Sequence, residues 1–299
     1  MKLFAPAYYS RFACIAGACR HSCCVGWEID IDPATHARYQ TMEDIRGSIV
    51  EGDPPHFRLG KDQRCPHLDE RGLCRIILRH GEDALCEICR EHPRFYHTTS
   101  QGMEVGLGLS CEEACRIILE SDDFDEFLPM GETEGETEKT EFDPLPYRAY
   151  LYSILKSENF THREKLAYIA ESFGISPTIH LDAAWQEALS RLEYLKEEHK
   201  ALLSTYSSDT TTPDELAPTL SRALAYFAFR HLSPAVTPDE MLVGLGFALL
   251  CERLLCSMIT NNPNLDIFDA ARILSEEIEY SEDNTEALKE MFYESISAT

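Results

Sequence analysis

Ten of the twelve cysteines lie between Cys14 and Cys115; only Cys251 and Cys256 lie beyond. The densest run is CIAGACRHSCC, residues 14–24, with the spacing C-x4-C-x3-C-C. CPHLDERGLC (65–74), CEIC (86–89) and CEEAC (111–115) follow. Soft thiolates at short spacings gather several sulfurs about one centre without long loop closures. Zinc takes four of them in a tetrahedron, and an iron–sulfur cube takes up to four, one per iron. The spacing therefore points to a bound metal and leaves its identity open. It is neither the paired C-x2-C motif of a zinc ribbon nor the C-x3-C-x2-C loop of a radical enzyme. Adjacent Cys23 and Cys24 must point differently, so they serve different centres, or one binds and one packs.

Not every cysteine is expected to be a ligand. Cys86 and Cys89 fall in a helix-like stretch, LCEICREHPR, where either can face a core. Cys115 follows Cys111 by one helical turn and reads as a packing residue. Cys251 and Cys256 sit on an apolar helix and read as core thiols, which are among the most buried side chains. His21, His67, His92 and His97 lie among the cysteines but read as hydrogen-bonding or surface residues.

The elements that must position these thiols are short and irregular. WEIDI alternates like a strand, and Asp32-Pro33 opens a helix with proline in its first turn. Residues 94–111 alternate around Gly102 and read as a hairpin. Such a loop-rich segment has little aliphatic mass, and a metal would supply stability that its core does not. Residues 121–145 are acidic, broken by Gly and Pro, and read as a linker. Beyond them the pattern is helical throughout. Thr161-x-x-Glu164 and Thr237-x-x-Glu240 are capping boxes. DAAWQEALSRLEYLKEEHKALLSTY aligns Trp185, Leu189, Leu192 and Leu195 as one helix face. MLVGLGFALLCERLLCSMI is apolar nearly all round and should be the central buried element. The expected fold is mainly α. It has a small loop-rich α+β cysteine domain over 1–120, a linker over 121–145 and an all-helical bundle over 146–299.

The balance of charge is 52 acidic against 27 basic residues, a net −25. A surface of that sign repels phosphate backbones, so nucleic acid is not an expected partner, and it attracts a lysine side chain. No apolar run reaches the ~20 residues of a membrane helix. The N-terminus, with Lys2, Arg11 and Arg20, lacks an apolar signal region. The expected location is the cytoplasm, where thiols stay reduced and bind metal rather than form disulfides. Neither a nucleophile elbow, H-E-x-x-H nor a phosphate-binding loop is present.

Several segments in order resemble the flagellin lysine-N-methylase family. They are YYSRFACIAGACRHSCCVGWEIDIDPATHARY (8–39), CPHLDERGLCRI (65–76), GEDALCEICREHPRFY (81–96), LGLSCEEACRIIL (107–119), LAYFAFRHL (224–232) and ARILSEEIEYSEDNTEAL (271–288). The N-terminal part also resembles the wider group of zinc- or iron-chelating cysteine domains. The resemblance implies metal ligation by Cys14, Cys19, Cys23, Cys24, Cys65, Cys74, Cys89 and Cys111, with a 4Fe-4S iron–sulfur cluster first and zinc as the alternative. It leaves Cys86 and Cys115 as extras. It implies methyl transfer from S-adenosylmethionine to a lysine of flagellin or another protein. It names no catalytic residue here, although Tyr8, Tyr9, Tyr226 and Arg230 lie in family-like segments and are candidate walls for a lysine channel. GLG at 106–108 is only a fragment of a nucleotide-binding turn, and the hairpin explains it. Two other classes compete: a metal-cluster sensor with a helical docking domain, and a zinc-stapled structural module.

Overall fold

The computed structural model describes residues 1–135, 141–175, 183–204 and 213–297. The fold is mainly helical with small sheets, as the pattern predicts. The chain forms two compact units. The smaller is Ala13–Phe95 with Cys111–Glu113; the larger is Met1–Phe12, Tyr96–Ser110 and Ala114–Thr299. Residues 1–12, 96–110 and 114–120, expected with the cysteines, thus belong to the larger unit.

The smaller unit carries short helices, Pro33–Tyr39, Arg75–His80 and Glu87–Glu91 among them, and a two-stranded hairpin, Ile49–Val50 with His56–Phe57. Asp32 caps its helix by accepting from Thr35 N at 2.9 Å, with Pro33 in the first turn. WEIDI is extended but is not a strand: it makes one bridge, Asp30 to His56, with Phe57 N donating to Ile29 O. Its alternation serves to bury Ile29 and Ile31 in a core with Tyr39, Ile45 and Phe57.

In the larger unit the first strand, Lys2–Pro6, lies between two others. It runs parallel to Gly102–Leu107 and antiparallel to Phe127–Glu132, while Arg94–Thr99 flanks Gly102–Leu107. The hairpin is therefore present. The segment read as a linker instead supplies an edge strand; residues 136–140 of it lie outside the described residues. The helices follow the capping signals. His162–Ser172 has the full Thr161–Glu164 box, and Pro238–Asn261 starts with Thr237 accepting from Glu240 N. Pro238–Asn261 is long and apolar enough to cross a membrane, which the apolar-run count missed; 89% of its apolar window is buried among neighbouring helices, the mark of a core element. It packs on Ala217–His231 at Gly244, where a Cβ would lie 2.1 Å from the His231 carbonyl oxygen. Cys251, Cys256 and Cys115 are all buried in this unit as packing thiols. The helix expected from Trp185 to Leu195 breaks into Ala183–Arg191 and Glu197–Ser204. The reason is capture of backbone: Glu193 N donates to Asn284 Oδ1 and Leu195 N to Glu277 Oε2, leaving Leu195 exposed.

Charge is buried here in matched sets. Arg148 grips Glu104 through two hydrogen bonds, 2.6 and 2.8 Å, and His97 adds a third at 2.9 Å. Burial alone would raise the Glu104 carboxyl, but these donors outweigh it and push it down to about 2. A π-helical turn, Ser275–Glu279, buries three further carboxylates. Glu277 meets His199 at 2.5 Å and Glu279 meets His231 at 2.7 Å. Tyr226 Oη donates to Glu279 and accepts from Arg230 and from Leu109 N. Gly108 is held by this network rather than by the hairpin, because a Cβ there would lie 2.2 Å from Tyr280 Oη.

Two outcomes follow. Gly108→Ala forces Tyr280 or Arg230 aside and should lower the unfolding free energy by about 1–3 kcal/mol in urea titration. Burial pushes His231 down to about 4, despite Glu279. The unfolded chain takes that proton near ~6.5, so this contribution is complete above pH 6.5 and is lost as pH falls towards 4. Thermal melts should fall across that span, and His231→Gln should flatten the fall.

Candidate metal centre

All twelve cysteines are free thiols. Nine lie in the smaller unit: the eight expected ligands and Cys86. They separate into two sets. Cys24, Cys74 and Cys89 pack against a buried cluster that contains Cys65 and Cys86. Cys14 and Cys23 are exposed, Cys19 and Cys111 half-buried, and none of these four belongs to that cluster.

Local hydrogen bonds fix each set. In the buried set Cys65 N donates to Cys24 O at 2.8 Å, which joins two segments forty residues apart in sequence. Leu68 pairs with Cys74 across a tight loop, and Cys86 precedes the first turn of Glu87–Glu91, bringing Cys89 back beside it. In the outer set one carboxylate does the joining. Glu112, next to Cys111, accepts from Arg20 N at 2.9 Å and His21 N at 3.0 Å, and pairs with the Arg20 guanidinium at 3.2 Å. The loop carrying Cys19 is thereby tied to Cys111.

The electrostatics sort the thiols the same way. Burial pushes Cys19 up to about 12, and Cys111, Glu112 and Cys14 add to the rise. Burial pushes Cys65 up to about 12, with Cys24, Cys74 and Cys86 contributing. Donating a hydrogen bond to Cys86, then burial, raises Cys89, with Cys24 and Cys65 nearby. The sets meet only at the neighbours Cys23 and Cys24. Their mutual hydrogen bond leaves Cys23 strongly raised and Cys24 lowered to about 7.

Two of the histidines that lie among the cysteines are engaged elsewhere. His67 is bonded to Ser48 at 2.8 Å and packs edge-on against Phe57, while His97 serves Glu104 in the larger unit. Among the described residues, the one group of three or more such side chains with ligand atoms within 4.8 Å of one another is Glu28, Asp30 and His56. No three thiols approach that closely. Cys86, left outside the expected ligand set, lies in the same buried cluster as Cys65. Its C-x2-C spacing with Cys89 was the available signal.

The larger unit contains a cleft of about 900 Å³. Phe124 and Phe160 supply its aromatic faces and Lys156, Arg163 and Arg222 part of its cationic wall. Two further wall residues, His162 and Ser221, are bonded at 3.0 Å, and the far nitrogen of His162 meets buried Glu252 at 2.7 Å. The tyrosines considered as channel walls are elsewhere: Tyr8 and Tyr226 are buried in the core, and neither they, Tyr9 nor Arg230 line the cleft.

Over 161 residues the chain is 31% identical to a Flagellar biosynthetic protein FliU of Salmonella muenchen, matching half of this chain and 94% of that protein. The chain belongs to the flagellin lysine-N-methylase family. It is also 33% identical over 132 residues to the Lysine-N-methylase of Salmonella typhimurium, and equally to that of Salmonella choleraesuis. Those matches cover 40% of this chain and 32% of each relative, so the chain spans about a third of their length. No family model and no solved structure matches.

Loss of the Glu112 tie should loosen the outer set without unfolding the protein. Glu112→Gln is expected to release metal to a chelator several-fold faster, with unchanged far-ultraviolet circular dichroism.

Proposed function

We propose that the chain is a protein-lysine N-methyltransferase acting on flagellin, using S-adenosylmethionine and carrying a thiolate-ligated iron–sulfur centre in the cytoplasm. The observation that carries this reading is the gathering of nine free thiols in one small unit of a chain whose relatives are named lysine methylases. Four Zn–S bonds of ~2.3 Å would place sulfurs about 3.8 Å apart. An iron–sulfur cube interposes its own atoms and accepts wider spacing, which favours it over zinc for thiols no three of which meet within 4.8 Å. Such a cluster, when bound, supplies a covalent tie between loops and a one-electron couple.

S-adenosylmethionine, when bound, supplies a methyl group on a positively charged sulfur. The cleft has the size of a small-molecule site. Its cations suit a carboxylate, and Phe124 and Phe160 offer faces for a purine. A lysine must lose its proton before it can attack, since its amine ionises near ~10.4. Burial of the amine in a narrow cleft favours the neutral form. At this cleft the Ser221–His162 pair is the group placed to take the proton, with His162 Nδ1 facing Ser221 Oγ and Glu252 holding the opposite nitrogen. The net charge of −25 draws lysine in and turns nucleic acid away.

The exposure of Cys14 and Cys23 supports a second reading, a cluster that senses oxidant and acts through a docked partner. One experiment separates them. Flagellin from the same organism is co-expressed with the chain, and lysine masses are mapped by peptide mass spectrometry. The methylase reading expects methylated lysines that vanish in Cys19→Ser/Cys23→Ser and fall at least tenfold in His162→Gln, whose metal content is unchanged. Unmodified flagellin beside folded, metal-loaded protein overturns it.

A further inference from the structure

The smaller unit holds more thiols than one centre can use. A zinc ion takes four and a four-iron cube takes four, whereas nine are present. Their division is spatial. Cys14, Cys19, Cys23 and Cys111 stand at the surface around the Glu112 tie. The other five share one core with Ile29, Tyr39 and Phe57: Cys65 and Cys86 are buried in it, and half-buried Cys24, Cys74 and Cys89 pack against it. Each set brings residues from at least two distant stretches of chain, which is what a cross-linking metal needs. The inner set also has the short C-x2-C spacing of Cys86 and Cys89 at a helix start, with Cys65 and Cys74 from the preceding loop.

We propose that this unit carries two separate metal centres: an outer one on Cys14, Cys19, Cys23 and Cys111, and an inner one that takes four thiolates from Cys24, Cys65, Cys74, Cys86 and Cys89. The inner centre is an iron–sulfur centre, whose own atoms span the wider sulfur spacing, and is structural. Five thiols clustered in the interior of so small a unit are otherwise an undersized core, because sulfur packing alone gives little cross-linking. Consecutive Cys23 and Cys24 stand where the two sets meet, the first exposed and the second packed against the buried cluster, and each serves its own centre. The inner centre does not depend on the methylase reading, and its test does not measure methylation.

The test uses the full chain purified without oxygen. Iron, zinc and acid-labile sulfide are measured per chain, and cysteines are mapped by alkylation and mass spectrometry. Ferricyanide with EDTA should free Cys14, Cys19, Cys23 and Cys111 together, while metal for one centre stays bound. Cys14→Ser/Cys111→Ser should keep that residual metal. Cys65→Ser/Cys89→Ser should lose it and keep the outer centre. Residual iron with sulfide supports the inner cluster, and residual zinc alone overturns it. Release of all metal in a single step from the native chain overturns the proposal, and so does unchanged metal content in Cys65→Ser/Cys89→Ser. The two-step release on the unsubstituted protein keeps the proposal falsifiable if that variant fails to fold.

Discussion

A carboxylate buried without a partner costs several kcal/mol, and the larger unit buries Glu104, Glu252, Glu277 and Glu279. Matching those charges governs much of what surrounds them. The Glu104–Arg148 pair fastens the hairpin strand Gly102–Leu107 to the helix Leu145–Lys156. Glu277, through Leu195 N and His199, decides where one helix stops and the next begins. Glu279 collects Tyr226, Arg230 and His231 on one helix face, and Gly108 is glycine because that collection crowds the strand end. The π-helical turn lets Glu276, Glu277 and Glu279 all face inward, which a regular α-helical turn spreads around its circumference.

The smaller unit solves the opposite problem. It has few regular hydrogen bonds to hold its loops, and it uses thiols and single polar ties instead. Cys65 N to Cys24 O, and the three donors on Glu112, close loops of roughly forty and ninety residues. Closing loops of that length is costly in entropy, and the metal binding proposed above would offset it. The family membership and the free thiols are therefore parts of one physical account of how the unit stays folded.

Local signals were legible in the sequence, and long-range ones were not. Asp32, Thr161 and Thr237 marked their helix starts because caps act within four residues. The apolar stretch over 241–259 declared a core helix by composition, and Cys115, Cys251 and Cys256 read as packing for the same reason. The cysteine run raised the expectation of a bound metal, which stands as a proposal, while the division into two sets depends on contacts between residues 24, 65 and 89 that no spacing encodes. The break near Leu195 comes from Glu277 and Asn284, over eighty residues away. Acidic residues were counted as solvated surface, and five glutamates with intramolecular partners proved to be interior. The edge strand Phe127–Glu132 was hidden by an acidic, glycine-bearing context that resembles a linker until Lys2–Pro6 is beside it.

The chain leaves the larger unit at Phe12, builds the smaller one, and returns at Tyr96. This interruption sets a timetable during synthesis. The strand Lys2–Pro6 is made before either of its partners: its parallel neighbour is complete only after residue 107 and its antiparallel neighbour only after residue 132. The buried thiol set is all present once Cys89 has emerged, whereas the outer set waits for Cys111. This part of the nascent chain thus assembles from the inserted unit outward, with the strand Lys2–Pro6 held in reserve until that unit is complete.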